Sequence, residues 1–174
     1  VTGWLSPCKY GCLQNDSGSF YHVTERTFVD VFCTSYELDS AIQFGHFEMD
    51  SYSAYLMVEH APKTSLSRYA VEMFERRTSD APNEQYYKLL NNSLYGKFIQ
   101  KTPTDQAKVL GRDPEYRAGA LYHPLLASLI TGFIRAYLHG CEHRYNVLMT
   151  STDGFFCTEK PDAGRALGDF KVTP

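Results

Sequence analysis

No run of apolar residues approaches the ~18 that a membrane-spanning helix needs, and no charged-then-apolar leader opens the chain. Low-complexity tracts and internal repeats are also missing. So is any basic excess: 17 Lys and Arg stand against 20 Asp and Glu, a formal net charge of −3. Affinity for nucleic acid draws largely on neutralised phosphates, so this balance argues against a dedicated DNA clamp. It leaves open a centre in which carboxylates hold divalent metal ions. The five cysteines supply no ligand set: Cys8 and Cys12 are spaced C-x3-C, and Cys33, Cys141 and Cys157 sit in apolar contexts. Their odd number points to reduced thiols and an intracellular setting. His139 and His143 (HGCEH) fall at i and i+4 on a helix, but without a further ligand they read as a surface or half-buried pair. Val1 rather than Met begins the chain and Pro174 closes it without a cap, so both ends read as cut.

What is present is a chain of 174 residues, 43% hydrophobic, with 13 Tyr and 11 Phe. That suffices for one domain with a core. The first 25 residues, rich in Gly, Ser, Asn and Asp, read as loop with one strand at the end. Thr27 to Cys33 alternates as a strand does, and Thr34-Ser-Tyr-Glu37 has the form of a capping box that starts a helix running to about Gly45. His46 to Met57 reads as extended. Helices are expected over Ser65 to Arg77 and from near Pro82 to Ile99, forming a tight antiparallel pair. Residues 101 to 122 read as loop with at most a short hairpin, and His123 to His143 as a long apolar helix. Asn146 to Thr158 follows as strand, turn and strand about Asp153-Gly154. A short helix from about Asp162 to Leu167 and a strand from Asp169 to Val172 complete the expectation.

One stretch carries chemistry more sharply than the rest: Lys88-Leu-Leu-Asn-Asn92-Ser93-Leu-Tyr95-Gly96-Lys97-Phe98. At ~100° per residue, Lys88, Asn92 and Tyr95 share a polar stripe, while Tyr87, Leu90 and Leu94 fall on the other side and pack. An ordinary amphipathic helix has a solvated face too. Such a face has no need of Asn, Ser and Tyr, which are weak helix formers. A nucleotide site does. A lysine ammonium pairs with triphosphate oxygens, a tyrosine one turn on stacks under base or sugar, and a glycine lets a base pair approach the backbone.

K-x3-N-S-x-Y-G resembles the fingers-helix motif of family B DNA polymerases, and the flanking LYGKF is similar to the protein-primed, organellar or viral subgroup. The resemblance extends over about Thr27 to Val172. It implies an α+β fold, an antiparallel palm sheet with packed helices and a projecting two-helix fingers hairpin. Residues 1–60 would be a palm portion, 61–100 the fingers helices, 101–122 a connecting loop or hairpin, and 123–174 the palm core. Lys88 and Arg76 would grip the incoming nucleotide, with Asn92, Tyr95 and Gly96 shaping its pocket. Tyr122 to Tyr137 is similar to the family's long palm helix, and Leu167-Gly-Asp-Phe-Lys171 to the strand that follows the metal hairpin.

Asp-Gly between apolar runs is by itself a strong hairpin signal. The family's hairpin motif there is Y-x-D-T-D-S, against Met149-Thr-Ser151-Thr-Asp153-Gly154 in this chain. Asp153 matches the second carboxylate, as catalytic metal ligand, and Ser151 replaces the first. The implied cofactor is Mg²⁺ (or Mn²⁺) in a two-metal site whose other carboxylate lies on chain not included here. Asp50-Ser-Tyr-Ser53-Ala-Tyr55 imitates the family's upstream D-x2-S-L-Y-P motif but falls too close before Lys88, so Asp50 is read as a look-alike. The implied partners are primer–template DNA, deoxynucleoside triphosphates and, in protein-primed members, a terminal priming protein. The setting is intracellular, in a viral, plasmid or organellar element, and no membrane is involved. The full-length protein is expected to be a nucleotidyltransferase and these 174 residues alone to be inactive. A polymerase-derived, non-catalytic nucleic-acid-binding or interaction protein is the rival, favoured by Ser151.

Overall fold

The computed structural model describes residues 2–8, 12–14, 20–22, 30–44, 48–55, 66–103, 116–164 and 166–172. Within them lie eight strands, four α-helices and one 3-10 turn, an α+β fold. The chain divides into two compact units: Val1–Ser53, Ser128–Arg165 and Asp169–Pro174 form the first, and Ala54–Ala127 with Ala166–Gly168 the second.

The first unit holds a four-stranded sheet in the order β3-β2-β1-β4, made of β1 (Thr2–Ser6), β2 (Cys12–Gln14), β3 (Phe20–His22) and β4 (Asp30–Phe32). β1 pairs antiparallel with β2 and β2 with β3, whereas β1 and β4 run parallel, Thr2 opposite Asp30 and Trp4 opposite Phe32. Three of these strands lie where loop with one terminal strand was expected, and the parallel pair makes the sheet mixed. Cys8 is disulfide-bonded, contrary to the expectation of reduced thiols, while Cys33, Cys141 and Cys157 are free.

Helix α1 (Ser35–Gln43) begins on the expected capping box: Thr34 Oγ1 accepts from Glu37 N and the Glu37 side chain accepts from the Thr34 backbone. It lies alongside α4 (Pro124–Arg144) in the same direction, because successive contacts advance together on both helices. Thr34 meets Gly132, Tyr36 meets Phe133, Glu37 meets Arg135, and Ser40 meets Ala136 and His139. The two helices approach so closely that a Cβ on Gly132 would collide with the Thr34 side chain. Between them sits a polar junction. Glu37, fully buried, accepts from Trp4 Nε1 at 2.9 Å, Thr34 N at 2.8 Å, Thr34 Oγ1 at 2.8 Å and Arg135 Nε at 2.5 Å. A buried carboxylate survives only when its oxygens are met in this way.

His139 and His143 form a half-buried pair, one of the two arrangements expected. His139 is buried, its Nδ1 2.8 Å from Ser40 Oγ and its Nε2 3.3 Å from His143 Nε2, and Phe44 stacks on the exposed His143 ring. Strands β7 (Val147–Thr150) and β8 (Phe155–Cys157) form an antiparallel hairpin as a separate two-stranded sheet. A chain of rings holds it, Tyr145 on Phe155 beside the turn, Phe155 on Phe170, and Phe170 on Tyr137 of α4, at centroid distances of 5.0–5.7 Å. Beyond the hairpin neither the helix expected over 162–167 nor the strand over 169–172 forms among the described residues. A single bridge between Ala163 and Phe170 stands in their place. Gly164 explains the difference: a Cβ there would run into the Asp169 side chain, and the turn is completed by Gly168 at φ 98°. Described residues 48–55 hold no strand, and the expected helix stop at Gly45 lies outside the described residues.

In the second unit, α2 (Leu66–Ser79) and α3 (Glu84–Ile99) are joined by Asp80 and the 3-10 turn Ala81–Asn83. The Tyr69 hydroxyl donates to Leu90 O at 3.3 Å and Arg77 to Glu84 Oε1 at 3.1 Å, a pairing that only antiparallel helices allow. Met73 and Phe98 are the buried anchors. After α3, β5 (Lys101–Pro103) pairs antiparallel with β6 (Tyr116–Ala118), so a short hairpin does form there. No described helix is long and apolar enough to cross a membrane.

Candidate functional site

Helix α3 displays the Lys88 stripe as expected. Lys88, Asn92 and Gly96 are exposed, and Tyr95 is half-buried, as are Tyr87, Leu90 and Leu94 on the other side. Neither Lys88 nor Asn92 has a hydrogen-bond or ion-pair partner among the described residues. Ser93 is different, since its hydroxyl returns to Leu90 O at 2.9 Å. That is the local back-bonding typical of a helical serine.

Gly96 is the informative position. A glycine inside a helix weakens it by about 1 kcal/mol relative to alanine, and a packing reason would normally repay that. A Cβ at Gly96 would meet nothing within 4 Å. The fold itself does not call for this glycine.

Arg76 donates from Nε and Nη2 to Glu72 Oε1 at 3.1 and 2.7 Å, one turn back on α2. This bond, then the Tyr87 hydroxyl, raises the guanidinium pKa. Arg76 is therefore next to the residue preceding Lys88 but engaged by a carboxylate. Arg77, its neighbour, ties α2 to the start of α3 through Glu84.

Asp153 lies in the first unit and the Lys88 stripe in the second. The turn at residues 151–154 is closed by Ser151 N donating to Gly154 O at 2.7 Å, with Asp153 exposed and unpaired among the described residues. Two-metal phosphoryl transfer needs carboxylates bridging ions ~3.5–4 Å apart. Asp153 offers one, Ser151 a hydroxyl, and no group of three or more His, Cys, Asp or Glu able to hold a metal occurs among the described residues. The donors among the described residues do not fit a two-metal site. Asp50 is exposed and outside any helix or strand.

No family model, curated protein or solved structure matches this chain. Two features escaped sequence reading. The Glu37–Arg135 pair joins residues far apart in the chain, and only its capping-box half had a local signal. A cleft of about 640 Å³ beside the β5–β6 hairpin had none.

Proposed function

We propose that this chain is a fingers-and-palm segment of a family B DNA polymerase, whose exposed α3 stripe receives the triphosphate and base of an incoming deoxynucleotide. The supporting observation is Gly96, a helix-weakening residue two turns along α3 from Lys88, which has no partner among the described residues, with open space where a side chain would stand. A ligand laid along that face accounts for the glycine; packing does not. In this reading Lys88 neutralises phosphate oxygens, Asn92 and Tyr95 border the base, and Arg76 contributes once it exchanges Glu72 for the ligand. Asp153 would serve Mg²⁺ or Mn²⁺ only with carboxylates from outside this segment. Primer–template DNA, and a terminal priming protein in the protein-primed mode, would be partners of the whole enzyme.

The test is binding of a fluorescent deoxynucleoside triphosphate to the 174-residue chain. Loss of one charge-assisted contact, ~1.5–3 kcal/mol, weakens affinity roughly 10- to 100-fold in Lys88→Ala. Equal binding by parent and variant sinks the proposal. Primer extension is expected from none of these preparations; extension by the chain alone would make Asp50 a metal ligand after all. The second reading, a non-catalytic polymerase derivative, is favoured by Ser151, where the family's hairpin carries its first carboxylate. Template binding without primer extension by the full-length protein supports it.

A further inference from the structure

The link between α2 and α3 is thinly packed. From Phe74 to Tyr86 no residue is buried, and Thr78, Ser79, Ala81, Pro82 and Asn83 are exposed. The buried anchors of the helical pair, Met73 and Phe98, lie outside this stretch. What holds the end of α2 is polar. Thr78 Oγ1 donates to Glu75 O at 2.9 Å, and Ser79 Oγ to Glu75 O at 2.8 Å and Arg76 O at 3.3 Å. Both hydroxyls thus fold back on their own turn. Asp80 accepts from Asn83 Nδ2 at 2.9 Å, and Arg77 reaches Glu84 at 3.1 Å. Exposed hydrogen bonds with little apolar burial beneath them mark a segment that opens at low cost.

Arg76-Arg77-Thr78-Ser79 runs along this end of the helix. Nowhere else in the sequence do two Lys or Arg stand side by side, and acidic residues outnumber basic ones in the chain. The two guanidiniums come three and two residues before the Ser79 hydroxyl. Each is held by a single carboxylate, Arg76 by Glu72 at 2.7 Å and Arg77 by Glu84 at 3.1 Å, and between 32% and 55% of each of these side chains is exposed. Pairs this open are weak, so a cleft lined with acids can compete for both cations once the last turn loosens. Charge patterns of this kind are what protein kinases use to choose among exposed hydroxyls.

We infer that Ser79 is a phosphorylation site, modified by a protein kinase whose acidic substrate cleft reads two arginines ahead of a serine, and that the phosphate loosens the link between α2 and α3. In the transfer the Ser79 oxygen bonds to the γ-phosphorus of a kinase-bound nucleoside triphosphate. The bond to the leaving diphosphate breaks, and the hydroxyl proton passes to the kinase's base. Esterification leaves Ser79 without a proton to donate, so its bonds to Glu75 O and Arg76 O are lost. It also places about two negative charges beside Asp80, at the negative end of the α2 dipole. The site is independent of the nucleotide reading of Lys88, since a chain that fails to bind deoxynucleotides still presents it.

The test is incubation of the full 174-residue chain with Mg²⁺, ATP and either the catalytic subunit of cAMP-dependent protein kinase or a calmodulin-dependent kinase, with the modified residue located by mass spectrometry. Phosphate is expected on Ser79. Ser79→Ala abolishes it, Thr78→Val retains it, and Arg76→Ala and Arg77→Ala each slow it by about tenfold or more through loss of a charge-assisted contact. Unchanged circular dichroism shows that the variants are folded. The arginine variants are repeated in a peptide of residues 72–84, which has no fold to lose. The phosphorylated chain is expected to melt roughly 2–4 °C below the parent. Absence of phosphate from Ser79 of the native chain overturns the proposal, whether or not the peptide is modified. So does modification at an equal rate without either arginine, or an unchanged or raised melting temperature.

Discussion

Removing the Glu37 carboxylate strands four donors at once. In Glu37→Ala the indole N–H of Trp4, the Arg135 Nε–H and both donors of Thr34 lose their acceptor, and α1 loses half of its capping box. Breaking a buried ion pair by deleting one partner costs ~3–5 kcal/mol. The Arg135 side chain keeps 31% of its exposure, so water recovers part of its charge and the lower end applies, about 3 kcal/mol. For a chain of this size that lowers the melting temperature by roughly 6–12 °C. The assay is thermal unfolding followed by circular dichroism, with urea melts of Glu37→Ala, Arg135→Ala and the double variant. The double variant should be less damaged than the sum of the singles by ~1–3 kcal/mol, since each single leaves the other group unmet. A Glu37→Ala melting temperature within ~2 °C of the parent, or strict additivity, would refute the view that this carboxylate joins β1, α1 and α4.

Gly96→Ala should stabilise the fold by about 1 kcal/mol, because the position is helical and its surroundings are open, yet weaken triphosphate binding; a gain in both separates the glycine from any ligand. Gly132→Ala should destabilise by ~1–3 kcal/mol in the same unfolding assay despite its better helix propensity, the new methyl arriving 2.8–2.9 Å from the carbons of Thr34. The thiols of Cys141 and Cys33 are pushed above the ordinary range, in both cases first by burial. Less thiolate is then present at any pH below the raised value, so alkylation, followed by mass spectrometry, should be slower in the native protein than in urea and accelerate as pH rises; equal native and denatured rates would show that they are not shielded.

The helices were legible because their signals are local. Thr34 and Glu37 announce the start of α1, and the half-buried stripe of Tyr87, Leu90 and Leu94 identifies α3. The strands near the start were not. β2 and β3 have three residues each, within a run rich in turn formers, and their pairing depends on partners further along the chain. The segment after Lys160 misled for a steric reason, since helix-compatible Asp162 to Leu167 contains a Gly164 whose missing side chain makes room for Asp169. For the candidate site, the exposed face of α3 followed from spacing alone. The cleft beside β6 did not, because Lys97 and Arg117 become neighbours only through the pairing of Thr102 with Arg117.

The ring ladder grips the β7–β8 hairpin right beside its turn, at Phe155, and leaves the turn residues themselves unencumbered. Phe155 and Phe170 carry the packing, while Thr152 and Asp153, within three residues of Phe155, lie exposed. Selection acting on the turn can therefore exchange its charges without disturbing the core. Ser151 is exposed there, so Ser151→Asp is expected to cost folding little. In this hairpin, chemistry is free to drift while architecture stays put.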